Sequence, residues 1–161
     1  MAKKALDLRK LATSVFLCIA VGSLGSVFTA PAIGEWYPSL AKPAWTPPDW
    51  VFGPVWTTLF ILMGIALYLV WGKGLKAKGV KPALEMFCAQ FALNVLWSFL
   101  FFGLRSPLYG LAGIIFLWIA IAATIWRFYL VSKPAAYAMI PYIAWVTIAA
   151  ALNYSVFALN A

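Results

Sequence analysis

Five stretches of this chain contain no Asp, Glu, Lys or Arg. They hold 24 residues between Lys10 and Glu35, 23 between Asp49 and Lys73, 19 between Glu85 and Arg105, 21 between Arg105 and Arg127, and 28 after Lys133. A helix crosses the hydrocarbon core of a bilayer with about 20 apolar residues. Helix is the form such a run takes there, because no water is present to satisfy open backbone groups. The spacing predicts an all-α fold: an integral membrane bundle of five transmembrane helices, in a single domain over residues 1–161. The spans are expected at about 11–30, 54–72, 83–102, 107–130 and 134–159, with a Trp/Pro-rich lid loop at 31–53. Composition points the same way: 65% of residues are hydrophobic and 10% charged, where a soluble domain carries about a quarter charged.

The net charge of +8 is read as topology rather than as a nucleic-acid surface. Lys3, Lys4, Arg9 and Lys10 precede the first span, Lys73, Lys76, Lys78 and Lys81 follow the second, and Arg127 and Lys133 follow the fourth. Only Lys42 and Arg105 fall at the other end. Basic residues favour the cytoplasmic side, so the N-terminus is expected in the cytoplasm and the C-terminus outside. "APA" at 30–32, after a basic start and an apolar run, resembles a secretory cleavage site. The uncharged run is long enough to span, however, and cleavage would remove one helix of five, so the first span is expected to stay.

Residues 36–56, "WYPSLAKPAWTPPDWVFGPVW", hold four tryptophans and five prolines. Prolines reduce the freedom of the unfolded chain, and aromatics bury large area with few rotatable bonds. The reading is a stiff aromatic lid over a pocket, with Gly53 permitting a tight start to the second span. A plain interfacial belt would account for Trp36 and Trp50 but not for five prolines. On the first span Ser14, Cys18, Gly22 and Ser26 form a face of small side chains, suited to close packing in lipid and leaving room for a flat ligand. On the third, Gln90, Asn94 and Trp97 share a face. Buried amides in lipid need partners, so that face points inward, as helix–helix contact or ligand contact. On the fifth, Trp145, Ala149 and Leu152 share a face with Asn153 beside it, and Pro141 is expected to kink the helix.

The chain has no histidine and two cysteines inside apolar runs. No intrinsic metal or cofactor is expected, and no His-ligated haem. The four acids sit near span ends and no nucleophile has a neighbouring base, so hydrolytic chemistry is not expected.

Three blocks then carry a resemblance: "WYPSLAKPAWTPPDWVFGPVWT", "QFALNVLWSFLFFG" and "PYIAWVTIAAALN". In this order, in a chain of this length, they resemble the signature blocks of the TspO/MBR family of tryptophan-rich sensory and translocator proteins. The resemblance implies a five-helix bundle, often a homodimer, that binds protoporphyrin IX or a related tetrapyrrole in a pocket under the first loop. Animal members also bind cholesterol and benzodiazepine-type drugs. Carried over by position, the ligand-binding residues are Gly25, Ser26, Trp56, Asn94, Trp97, Trp145, Ala149 and Leu152, joined by Trp45 and Trp50 of the loop. Some bacterial relatives degrade porphyrin in light, a chemistry that would make Trp56 and Trp145 catalytic. The functions implied are sensing of tetrapyrrole and oxidative stress, or, alternatively, porphyrin or sterol transport or that degradation, in an inner or outer bacterial cell membrane. Two positions depart from the animal pattern: Tyr154 has no basic residue after it, and Tyr109 stands where some members carry tryptophan.

Overall fold

The computed structural model describes residues 6–161; Lys3 and Lys4, assigned above to the basic end, lie outside the described residues. All regular structure among the described residues is helical. Five helical stretches are long and apolar enough to cross a membrane: Leu8–Glu35, Asp49–Trp71, Val80–Gly103, Pro107–Val131 and Lys133–Asn160. The fold is thus an all-helical, five-span membrane bundle.

The first span is broken. Helix α1 (Leu8–Gly22) ends in a 3-10 turn at Ser23–Gly25, and α2 (Ser26–Glu35) continues from it. The serines explain the break. Ser23 Oγ donates to Ile19 O at 2.7 Å and Ser26 Oγ to Ser23 O at 2.6 Å, and such back-bonding bends helices. Three of the four small-face residues pack as the spacing suggested: Ser14, Cys18 and Gly22 are buried, while Ser26, beyond the break, is exposed. A Cβ at Gly22 would collide with the Phe60 ring, and one at Gly25 would lie 2.7 Å from Ser98 Oγ.

The lid loop is shorter than its prolines implied. Helix α2 runs through "APA" to Glu35 with Pro31 inside it, and α3 (Asp49–Trp71) starts five residues ahead of Pro54. The connection shrinks to residues 36–48, with a 3-10 turn at Tyr37–Ser39. Each proline forgoes one backbone hydrogen bond inside its helix. The true start signal of α3 is "PPD": extended Pro48 precedes an acid in the first turn, where the helix dipole favours negative charge. Gly53 therefore sits within α3 and not at a junction, and a Cβ there would meet nothing.

Helix α4 (Val80–Ser98) passes into a π turn, Phe99–Gly103. Beyond it Arg105 takes a left-handed φ of 50° and pairs with Glu35 at 3.0 Å, tying the ends of the first and third spans. Helix α5 (Pro107–Val131) is capped by Ser106, whose side chain accepts from Tyr109 N. The fifth span divides at Met139 into α6 (Lys133–Ala138) and α7 (Ile140–Asn160). Pro141 lies in the first turn of α7, so the expected kink is a break just ahead of it.

The two ends of the bundle differ. Met63, Ala66, Ile121, Phe128 and Tyr142 have no exposed surface, and Phe87 stacks on Phe128 at 5.6 Å. Toward the loop, between the first, second, third and fifth spans, the interior is hollow.

Candidate functional site

The hollow is a cavity of about 370 Å³, within the range of small-molecule sites, about 300–1,000 Å³. Gly25 and Ser26 line it from the break in the first span, Trp56 from α3, Asn94 and Trp97 from α4, and Trp145 and Ala149 from α7. Seven of the ten residues singled out by sequence thus meet around one space. Leu152 lies one turn further on, in an adjoining crevice of about 40 Å³ shared with Ala149 and Trp97.

Trp45 and Trp50 do not reach the cavity. They are 50% and 75% exposed and face outward, the placement of interfacial tryptophans. Tyr37 does the covering instead. It is buried, lines both the cavity and the crevice, and packs edge-on to Phe101 at 6.4 Å. Its phenol pKa is raised by burial first and by the Asp49 charge second, so the hydroxyl stays protonated at neutral pH. The loop is fastened at its far side. Ala41 N donates to Asn160 Oδ1 at 3.0 Å, and Asn160 Nδ2 donates to Ala41 O at 2.9 Å.

The polar groups of the wall are mostly spoken for. Asn94 Nδ2 donates to Tyr142 Oη at 3.0 Å. Trp97 Nε1 donates to Asn153 Oδ1 at 3.3 Å, and Asn153 Nδ2 donates to Pro107 O at 2.8 Å. Trp145 Nε1 lines the same wall, and it is buried with no partner among the described residues. Gln90 is fully buried on the inward face of α4, but it does not line the cavity. No group of three or more His, Cys, Asp or Glu gathers among the described residues to hold a metal. Tyr109 and Tyr154, the two departures from the animal pattern, face outward and do not line the cavity.

Sequence reasoning missed Tyr37, Asp49, Phe52 and Tyr142. Tyr142 precedes Trp145 by three residues, a spacing that places both on one helix face. Asp49 marks the helix start in "PPDW". Phe52 packs edge-on to Trp145 at 5.8 Å and could be placed only once α3 was known to begin before it.

These features define an integral, multi-pass membrane protein with an internal cavity of small-molecule size. The chain belongs to the TspO/MBR family, whose sequence model matches residues 14–159. It is 48% identical to the tryptophan-rich protein TspO of Chlorobaculum tepidum, over 93% of this chain and 95% of that one. It is 45% identical to the protein of the same name from Archaeoglobus fulgidus, over 97% and 100%. The human translocator protein is 42% identical, over 83% of this chain and 79% of its own length. Family and relatives together support a membrane sensory or translocator role.

Proposed function

We propose that the cavity binds a porphyrin or related tetrapyrrole, and that the protein senses or regulates tetrapyrrole and oxidative stress from a bacterial cell membrane. The observation that carries this reading is the Trp145 N–H, a buried donor without an acceptor beside an aromatic-walled cavity. A buried polar group without a partner is costly, and an acceptor atom on a flat apolar ring system would satisfy it. Trp56 and Trp97 offer faces for such a ring, and Gly25 and Ala149 leave space for its thickness. Metal-free protoporphyrin suits a wall that offers iron no imidazole.

Titration of purified protein with protoporphyrin in the dark, followed by tryptophan fluorescence, tests the proposal. Saturable quenching that weakens in Trp145→Phe is the expected result. Quenching that stays linear with added porphyrin would overturn it. Trp56 and Trp145 both line the cavity, which favours light-driven degradation as a second reading, with dioxygen as oxidant. Loss of porphyrin absorbance under light that persists unchanged in the double Trp→Phe variant would remove that reading. Saturable, protein-dependent porphyrin flux into liposomes would favour transport over sensing.

A further inference from the structure

The cavity has a charge character that its aromatic content conceals. Asp49 is the one formally charged side chain lining it, and no Lys or Arg among the described residues does so. The two cations at this end are engaged elsewhere. Lys42 Nζ donates to Tyr37 O at 2.8 Å and to Leu40 O at 3.4 Å, and sits 4.6 Å from the Tyr37 ring centroid. Arg105 is paired with Glu35. The exposed Asp49 carboxylate makes no hydrogen bond or ion pair among the described residues. Behind it the wall presents Tyr37, Phe52, Trp56, Trp97 and Trp145. Aromatic faces carry negative quadrupole potential and attract cations, tryptophan most strongly. A wall of such faces, with one carboxylate at the mouth and no basic residue, complements positive charge.

We propose that the cavity selects lipophilic monocations, such as tertiary or quaternary amines and phosphonium ions wrapped in apolar groups, with Asp49 as the specificity-determining residue. This rests on the reading that the cavity takes a lipophilic ligand and goes beyond the tetrapyrrole, whose carboxylates are anionic. A tetrapyrrole would lie with its ring inside and its carboxylates turned from Asp49.

Tetraphenylphosphonium and tetraphenylborate provide the test, being alike in shape and opposite in charge. The full chain in nanodiscs of zwitterionic lipid is titrated with each, reading tryptophan quenching against protein-free nanodiscs. Comparison is made between variants for one ion at a time, which cancels the ions' different partition into lipid. One charge at contact distance in watery surroundings corresponds to about fivefold in affinity. Asp49→Asn should therefore weaken the cation by about fivefold and tighten the anion similarly, both effects shrinking as salt is added. Asp49→Glu keeps the charge and should retain the preference for the cation, which separates charge from loss of the first-turn acid of α3. Shifts of both ions in the same direction, or no shift in either, would overturn the proposal. So would the absence of saturable binding by the cation. A parallel protoporphyrin titration separates the two readings. Opposite shifts of the two ions with no porphyrin binding would leave the cation site standing and remove the tetrapyrrole. Porphyrin binding with equal shifts of both ions would do the reverse.

Discussion

Trp97 and Trp145 are the same residue type on facing helices of one cavity, yet their indole N–H groups stand in opposite situations. The N–H of Trp97 is anchored to Asn153, which in turn holds the Pro107 carbonyl across to α5. The N–H of Trp145 donates to nothing among the described residues. Replacing either by Phe removes a similar volume, so the difference between the two variants isolates the hydrogen bond. Trp97→Phe should be the less stable by about 1–2 kcal/mol, because it strands an Asn153 oxygen, whereas Trp145→Phe removes an unsatisfied donor. Thermal midpoints in one detergent would measure this, and equal midpoints would contradict the assignment. Asn153→Ala leaves the Trp97 donor unpaired and removes the second bond to the Pro107 carbonyl, the tie between α7 and α5. It should lower the midpoint by at least as much as Trp97→Phe.

At the scale of elements, the five spans were legible because charge is excluded from about 20 consecutive residues wherever a helix crosses lipid. The inward faces of the third and fifth spans were legible for a related reason: Asn94, Trp97 and Trp145 are polar or amphipathic at helical spacing. What could not be read was the extent of the loop. Pro31 and Pro54 looked like boundaries, yet α2 and α3 run through them, each giving up one backbone hydrogen bond. Nor could sequence tell that the loop's contact with the cavity is Tyr37 while Trp45 and Trp50 face outward, since all three are aromatics in a proline-rich stretch without helical periodicity. The lid is therefore stiff through Pro43, Pro47 and Pro48 and fastened through Asn160. Pro47→Ala with Pro48→Ala should free the backbone before α3, and Asn160→Ala should remove the two bonds to Ala41. Each is expected to speed ligand release several-fold in stopped-flow fluorescence while leaving the number of sites unchanged. Unchanged release rates in both variants would mean that the loop covers the cavity without gating it.

For the whole molecule, charge and hollowness lie at opposite ends. Eight described basic residues cluster where the first span begins and the second and fourth end. Lys10 Nζ sits 5.7 Å from the Trp71 ring centroid, Lys133 5.3 Å from Tyr129, and Arg127 5.0 Å from Trp126. Aromatics flanked by cations are what a membrane–water interface selects. Only Lys42 and Arg105 stand at the loop end, and both are held by neighbours there. The bundle interior follows the same polarity, with the stacked Phe87–Phe128 core toward the basic end and the cavity under the loop. By the positive-inside rule the expected place of the cavity mouth is the far side of the membrane from the cytoplasm, and on that topology ligand would reach it from outside or from the outer leaflet. Cysteine accessibility decides this. The two native thiols are first removed as Cys18→Ala and Cys88→Ala, since Cys18 is buried and a hydroxyl there would need a partner. Ala44→Cys in the loop and Lys76→Cys after the second span are then introduced separately, both at exposed positions. A membrane-impermeant maleimide should label Ala44→Cys in intact cells and Lys76→Cys only after permeabilisation. The reverse pattern would put the cavity mouth in the cytoplasm, where the ligand would be drawn from the cell's own pool.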